Sequence, residues 1–553
     1  MSELTPDPDR QRVISRRAFV GAGVAGAIAT AVGVDTRSAA ASPPHSAPEV
    51  ASFELEELTL ADLQSGMASG RHTSVSLCKA YLGRIEQLDR QGPTLRAVLQ
   101  LNPEALAIAA GLDAERKGRG VRGPLHGIPV LIKDNIGTHD RMTTAAGSLA
   151  LAYSVPPRDS FVAERLRAAG AVMLGKTNLS EWANFRSTHA SSGWSGLGGQ
   201  TRNPYALDRT PSGSSSGSGT AASANLCAVA VGTETDGSIT SPSSVASLVG
   251  IKPTVGLVSR SGIIPISHSQ DTAGPMARTV TDAAILLTVI AGVDPRDPAT
   301  TVASGQPVID YTRFLNAGGL RGARIGVARK KYFGYSVHAD RIANEALDTM
   351  RRAGATIVDP ADIATAANLD AEEFDVLLYE FKHDLNAYLA SLGPAERMKS
   401  LKDLIVYNDQ HPAEEMPFFG QEIFTMAEAK GPLTDKKYLQ ALRNGHTRSR
   451  AEGIDATMTK HRLDAIVAPT QGPPGLIDLV NGDAGSGSAT SPAAIAGYPH
   501  ITVPAGYAFG LPVGISFIGR AWSEPTLIKL AYAFEQASKV RKVPRLLLTA
   551  QLA

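Results

Sequence analysis

The chain has 553 residues, with 54 Lys and Arg against 53 Asp and Glu, and a formal net charge of +1 at pH 7. It is 43% hydrophobic and 19% charged, which is typical of a globular protein with one large domain or a few smaller ones. Balanced charge argues against nucleic acid as a main partner, because such binding needs a basic excess. The only two cysteines, Cys78 and Cys227, exclude a disulfide framework and a cysteine-based zinc site, and we predict no metal site.

The first forty residues carry the features of an export signal. Arg16 and Arg17 precede an apolar run over residues 20–34, and small residues follow at 38–42. This pattern predicts a twin-arginine (Tat-type) signal over 1–41 and a Pro-rich linker over 42–52. The run is shorter than the ~20 residues that span a bilayer, although an uncleaved anchor is the alternative. We therefore expect a periplasmic or extracellular protein without a stable membrane span after processing.

Downstream, short apolar runs alternate with helical patterns. The spacing of apolar residues from Val75 to Leu88 predicts a helix that begins at Thr73 or Ser74 and buries Cys78. Buried strands are predicted at 128–132, 171–174 and 228–231, and helices at 159–169, 218–225 and 524–538. This alternation favours an α/β fold with a parallel or mixed sheet. The charged, helical stretch 361–450 predicts a cap-like insertion over a core that resumes at 463–467.

A belt rich in glycine and serine lies between Ser191 and Gly219, where these two types supply 15 of 29 residues. Such a chain is costly to order, and apolar segments flank it, so we expect a ligand-facing backbone rather than a surface loop. Two formal motifs near it lack the required context. Residues 170–177 fit GxxxxGK[ST], but the variable positions look like a strand. Residues 213–217 fit GxSxG with Ser215 as nucleophile, but no buried strand precedes them.

A third pattern combines two serines of the belt, Ser214 and Ser215, with Lys133 and the segment 232–239. A serine nucleophile needs a base, and lysine can be that base only if burial lowers its pKa from about 10.4 to near neutrality. Lys133 ends an apolar strand, where burial favours such a shift. Backbone N–H groups of the glycine-containing turn 235–238 are suited to holding an oxyanion.

The stretch 211–253 resembles the signature of the amidase signature family, including the 24-residue offset from Ser214 to Ser238. Resemblance continues at 126–135, 175–181, 271–275 and 510–514, and so covers about 55–540. It implies that Ser238 is the nucleophile, that Ser214 is a bridging serine in a cis peptide, and that Lys133 is the base and later the acid. It also implies that the backbone of Thr235, Asp236 and Gly237 forms the oxyanion hole. Ser215 and Asp134 would be supporting side chains.

The same resemblance implies one α/β domain over 53–553, with a large mixed sheet, helices on both faces and no cofactor. One departure is Thr240, where the family usually has Arg, so we expect a small, uncharged loop at 240–244 and a different acyl pocket. Segments 182–187 and 192–196 resemble the peptide amidase branch, which hydrolyses C-terminal carboxamides of peptides. That likeness implies that Asn184, Phe185 and Trp194 line a substrate pocket, although core packing is as compatible with the two aromatic residues.

We therefore expect an amidase that converts a small-molecule or peptide amide to an acid and ammonia or an amine. Aryl-amide or fatty-acyl-amide hydrolysis by the same fold is one alternative. A non-catalytic exported binding protein is an alternative from another class, and covalent labelling of an activated serine would separate it from an enzyme.

Overall fold

The computed structural model describes residues 51–302 and 309–552. The predicted signal over 1–41 lies outside the described residues, as does the predicted linker except for its last two positions. The strands of the described chain, in order, are β1 (Val98–Leu101), β2 (Pro129–Lys133), β3 (Val172–Thr177), β4 (Trp194–Ser195), β5 (Gly199–Gln200), β6 (Val229–Glu234), β7 (Val249–Lys252), β8 (Thr272–Ala277), β9 (Arg324–Val327), β10 (Thr356–Val358), β11 (Ala465–Pro469), β12 (His500–Ala508) and β13 (Leu511–Ile518).

Eleven of these strands form one mixed sheet in the order β1-β3-β2-β6-β8-β7-β12-β13-β11-β9-β10, and β4 pairs with β5 separately. Strand β2 is parallel to both neighbours, β3 and β6. From β6 through β8, β7, β12 and β13 to β11 each pair is antiparallel. Every residue of β2, β3 and β6 is buried, as expected for strands with both faces covered.

The helices that flank this sheet, or lie over its edges, are α1 (Leu60–Ala68), α2 (Ser74–Ile85), α3 (Ala105–Arg119), α4 (Phe161–Ala168), α5 (Ser216–Ser223), α6 (Thr240–Val245), α7 (Val280–Ile290), α8 (Ala299–Val302), α9 (Arg329–Tyr332), α10 (Val337–Arg352), α11 (Asp370–Ser391), α12 (Leu401–Gln410), α13 (Pro412–Glu415), α14 (Glu422–Glu428), α15 (Lys436–Ser449), α16 (Asp455–His461), α17 (Ser491–Ala496) and α18 (Glu524–Ser538). Within the described ranges, no helix combines the length and apolarity needed to cross a membrane.

The sequence predictions of fold and helices are confirmed, with small shifts of element ends. Thr73 caps α2, because its side chain accepts a hydrogen bond from the amide of Ser76. Cys78 is fully buried on the inner face of that helix. The predicted segment 361–450 is helical and contains α11 to α15. Its apolar side chains share a buried cluster with Leu179, Trp182 and Ile264, so the insertion packs on loops that follow the central strands.

Candidate active site

Lys133 is the last residue of β2 and is completely buried. Its Nζ lies 2.8 Å from Ser214 Oγ, 2.9 Å from Thr233 Oγ1 and 3.4 Å from the Thr233 carbonyl oxygen. Strand pairing fixes these distances, because β2 lies beside β6, which carries Thr233. The amine therefore faces three oxygen atoms from two separate segments of the chain.

Burial lowers the pKa of Lys133 to about 7, although the negative charges of Asp271 and Glu234 act in the opposite direction. Without such a shift a lysine is almost fully protonated at neutral pH. A neutral amine has two N–H donors and one lone pair. The two Thr233 oxygens can accept the two donors, which leaves the lone pair for the hydroxyl proton of Ser214.

The two adjacent serines of the belt have different surroundings. The Gly213–Ser214 peptide bond is cis, as the resemblance implies. Ser215 Oγ donates to the Thr233 carbonyl at 3.0 Å and accepts from the Thr233 amide at 3.2 Å. The Ser215 amide donates to the Ser238 carbonyl at 3.1 Å. Ser215 thus ties the belt to β6 and to the segment that carries Ser238, while Ser214 faces the lysine.

A tight turn connects β6 to Ser238. Gly237 has φ of 78°, in the left-handed region, so the turn favours glycine at this position. Within the described chain, the amides of Asp236, Gly237 and Ser238 donate no hydrogen bond to other protein groups. Convergent free N–H groups of this kind can bind an oxyanion.

Ser238 itself is 8% exposed, and its hydroxyl has no hydrogen-bond partner among the described residues. After it, the Glu234 carboxylate accepts hydrogen bonds from the amides of Ile239 and Thr240 at 2.7 and 2.9 Å. These bonds close the turn at the start of α6. The expected small loop at 240–244 is therefore wrong in one respect: its residues form a buried helical turn that Glu234 caps.

Asp134 follows the lysine, but its carboxylate points to another loop. Its Oδ2 accepts hydrogen bonds from the amides of Ala145 and Gly147 at 3.2 and 3.0 Å. Burial raises the pKa of Asp134 to about 6, and Lys176 partly offsets this. The structure thus places Asp134 as an anchor for the 145–147 loop.

The predicted substrate residues fall into two environments. Trp194 is buried, with its ring 5.1 Å from the ring of Phe419. Phe185 is also buried, and its ring lies 5.1 Å from that of Phe381 on α11. Both aromatic residues thus pack against the insertion. Asn184, in contrast, is exposed.

The backbone at Asn184 is unusual. Trp182, Ala183 and Asn184 have φ values of 51°, 54° and 70°, in the left-handed region. Each non-glycine residue there costs about 1–2 kcal/mol, and such conformations cluster at functional sites. Ala183 also lines a cavity of about 20 Å³ together with Thr233 and Thr235. Ala183 thus lies in the wall of this cavity, and Asn184 directly follows it in sequence.

Sequence reasoning missed several residues of this centre. Thr233 binds Lys133, and Asn135 Nδ2 donates to the same Thr233 hydroxyl at 3.0 Å. Asp271 accepts a hydrogen bond from Thr235 Oγ1 at 2.5 Å. Asn135 lies two residues after Lys133 in sequence, and this proximity was the available signal for it, whereas Thr233 is 100 positions from Lys133. The pairing of β2 with β6 brings the Thr233 hydroxyl into contact with Lys133 and Asn135.

Known proteins are similar to this chain over most of its length. The family model described as Amidase matches residues 76–528. A probable amidase of Arabidopsis thaliana is 45% identical over 502 residues, covering 89% of this chain and 92% of the relative. The solved native peptide amidase from Stenotrophomonas maltophilia is 50% identical with a TM-score of 0.86, covering 89% of this chain and 99% of that one.

This chain belongs to the amidase family. A solved amidase family protein from Bacillus anthracis, 36% identical with a TM-score of 0.80, agrees over 89% of this chain and 93% of its own length. The amidase is thus a hydrolase that acts on amide C–N bonds, and the mixed-sheet fold expected from the resemblance is confirmed. The alternative of a non-catalytic binding protein is set aside.

Proposed function

We propose that this amidase cleaves amides through an acyl-enzyme on Ser238, with Ser214 as proton relay and Lys133 as base. The observation that carries the proposal is the 2.8 Å contact between Lys133 Nζ and Ser214 Oγ at a fully buried lysine. A neutral amine at this place can take a proton from Ser214, and Ser214 would take one from Ser238 when the two hydroxyls come within hydrogen-bonding distance. The free amides of the Gly237 turn are then available for the developing negative charge.

The reaction balances as two acyl transfers. In the first, a bond forms between Ser238 Oγ and the amide carbon, and the Ser238 proton passes through Ser214 to Lys133. When the C–N bond breaks, the same proton returns through Ser214 to the leaving nitrogen, which departs as ammonia or amine. In the second, water attacks the ester and gives its proton to the same relay, and cleavage restores the Ser238 hydroxyl and releases the acid. Asp236 and Gly237 would bind the oxyanion in both halves, together with Thr235 as predicted.

The experiment on the relay compares three single variants of the full chain. Ser214→Ala removes the hydroxyl between base and nucleophile, and we expect kcat to fall at least 100-fold. Ser243→Ala is the matched control, because Ser243 is equally buried and its hydroxyl has no hydrogen-bond partner in the described structure. If Ser214→Ala and Ser243→Ala had equal kcat, the relay would be excluded. If Ser215→Ala alone were inactive, Ser215 would be the nucleophile.

We further propose that the substrate class is the C-terminal carboxamide of peptides. The likeness to a solved peptide amidase over nearly its whole length supports this assignment. So does the left-handed backbone at 182–184, which leaves Asn184 exposed directly after Ala183, a residue of the cavity wall. An exposed amide side chain that tolerates this backbone is suited to bind a peptide group by hydrogen bonds. Phe185 and Trp194 would then support the pocket wall from behind by packing on the insertion.

Release of ammonia from peptide amides, compared with release of aniline from acyl anilides, tests this specificity. We expect kcat/KM to be higher for the peptide amides. Asn184→Ala should raise KM for peptide amides several-fold, since one hydrogen bond contributes about 1 kcal/mol. Asn316→Ala, at another exposed asparagine, is the control. A preference for anilides or fatty-acyl amides, with Asn184→Ala unchanged, would favour the alternative hydrolase.

Finally, we propose that the enzyme is exported. The support is the sequence pattern alone, with Arg16 and Arg17 before an apolar run and a small-residue site. Cell fractionation of the full chain in a bacterium with a Tat system should find activity in the periplasm or medium. Replacement of both arginines by lysine should retain the enzyme in the cytoplasm. Equal distribution of the two forms would contradict export by this route.

A further inference from the structure

The side-chain network behind the oxyanion turn suggests an additional role for the insertion. Gln270 Nε2 donates to Glu373 Oε1 at 2.8 Å and lies 3.4 Å from the carbonyl oxygen of Thr235. Gln270 is 2% exposed, and Glu373, in the first turn of α11, is 9% exposed. One buried amide thus joins the insertion helix to the first residue of the turn.

A second contact joins the same helix to the middle of the turn. The Asp236 carboxyl group neighbours that of Glu373 and the hydroxyl groups of Thr490 and Ser491, and each of these neighbours affects its pKa. Asp236 Oδ1 is buried without a donor in the described chain. Two ionised carboxylates in contact and out of water would repel each other strongly, so the pair needs one proton.

The proton belongs to Glu373. Burial and the charge of Asp236 raise the pKa of Glu373 well above its usual range. Burial also raises the pKa of Asp236, but contacts with Thr490, Ser491 and Glu373 oppose that rise. Protonated Glu373 can donate through one oxygen to Asp236 and accept from Gln270 through the other. That arrangement satisfies the otherwise unpaired acceptor and leaves no like charges in contact.

We propose that Glu373 is a positioning residue that holds the oxyanion turn through Gln270 and Asp236. The inference rests on the proposed function, because it concerns the turn whose amides would bind the oxyanion. Glu373 touches neither the nucleophile nor the relay. Loss of its proton would place a second negative charge against Asp236 and displace the adjacent amides, and small displacements of this kind reduce turnover.

Other titratable groups surround the pair and have to be separated from it. They are Asp370 and Glu372 on the same helix, His446 on α15, Glu234 at the end of β6, Lys252 at the end of β7, and Tyr332. His446 has its pKa lowered to about 4 by burial and is neutral in the relevant range. Lys252, with its pKa lowered to about 8 by burial, also loses charge in alkaline solution. A substitution at Glu373 itself separates these sources, because Lys252 stays in place.

The test compares the pH dependence of kcat in wild type, Glu373→Gln, Glu373→Ala and the control Glu372→Gln. Wild type should lose activity on the alkaline side as Glu373 ionises. Glu373→Gln, whose amide donates to Asp236 and accepts from Gln270 without titrating, should keep kcat within about threefold and lack that decline. Glu373→Ala should lower kcat about 10- to 100-fold with little change in KM. Glu372→Gln should match wild type.

An alkaline decline that persists in Glu373→Gln would overturn the proposal and assign the decline to another group such as Lys252. So would wild-type kcat in Glu373→Ala, or the absence of an alkaline decline in wild type. If Glu373→Ala does not fold, the pH profile of Glu373→Gln decides alone. Ser238→Ala reports separately on the proposed function: if it is active, the acyl-enzyme scheme fails whatever the Glu373 variants show.

Discussion

Two fully buried lysines on neighbouring strands, Lys133 on β2 and Lys176 on β3, are in contrasting surroundings. Lys176 Nζ donates to the Ile136 carbonyl at 2.6 Å and to Thr144 Oγ1 at 2.9 Å, and the negative charge of Asp134 raises its pKa. Burial nevertheless lowers the pKa of Lys176 to about 8. Lys133, with a pKa of about 7, faces Ser214 instead.

The two lysines share their burial and differ in their hydrogen-bond partners. Both amines are desolvated, so desolvation alone does not make a base. Lys176 is directed at groups that keep its protons and hold a loop, whereas Lys133 is directed at a serine hydroxyl that can pass a proton on. We conclude that contact with Ser214 of the glycine-rich belt, added to burial, distinguishes the proposed catalytic lysine from Lys176, whose hydroxyl partner is Thr144.

The largest expected effect is at the nucleophile. Ser238→Ala removes the group that forms the acyl-enzyme, so kcat should fall about 10⁵-fold or more. The Michaelis constant and the melting temperature should change little, since the Ser238 hydroxyl makes no hydrogen bond in the described structure. Steady-state amide hydrolysis and thermal unfolding measure both. Substantial residual turnover in Ser238→Ala would place the nucleophile elsewhere.

Exchange of each lysine for methionine tests the comparison directly. Lys133→Met should reduce kcat at least 1,000-fold by removing the base while leaving stability unchanged or higher, because an unfavourably buried amine is replaced by an apolar chain. Lys176→Met should instead lower the free energy of unfolding by about 2 kcal/mol, because it leaves buried acceptors unpaired. Denaturant unfolding and kcat of both variants measure the two effects. Equal losses of activity would remove the distinction between the two sites.

The pH profile gives a smaller effect. Only neutral Lys133 accepts a proton, so kcat/KM should rise with pH through about 7, the pKa that burial gives this residue. Thr233→Val removes a hydroxyl that stabilises the charged amine, so the rise should move to lower pH. Its kcat should fall about tenfold as the amine loses orientation. A flat profile between pH 5 and 9, with chemistry rate-limiting, would count against a lysine base.

The smallest effect concerns the two cysteines, since burial raises the pKa of a thiol whereas it lowers the pKa of a lysine. It raises the pKa of Cys78 and of Cys227 to about 12, so neither thiol ionises near neutral pH. Iodoacetamide at pH 8 should therefore leave the native enzyme unmodified and fully active, and unfolding in denaturant should expose both thiols. Mass spectrometry of native and unfolded samples checks this. Rapid alkylation of native enzyme would show that the core around α2 opens.

Much of the centre could be predicted from the sequence, because its parts lie in short continuous motifs. Lys133 at a strand end and Ser214 in the glycine-rich belt lie together as expected, and α18 has its predicted bounds. Thr233 and Glu373 could not be assigned, since their partners are 100 and 137 positions away in sequence and meet only through sheet order and insertion packing. The helical turn at Thr240 was missed because it is capped by Glu234, the last residue of β6, whose carboxylate accepts a hydrogen bond from the Thr240 amide.

The most direct test of the central claim is the rate at which a fluorophosphonate labels the enzyme, measured between pH 5 and 9 with the labelled residue identified by mass spectrometry. We expect a label on Ser238, at a rate that rises through about pH 7 as Lys133 loses its proton. Labelling should be lost in Lys133→Met and retained in Lys176→Met. A label on Ser215, or labelling of Lys133→Met at the wild-type rate, would exclude Lys133 and Ser238 as base and nucleophile.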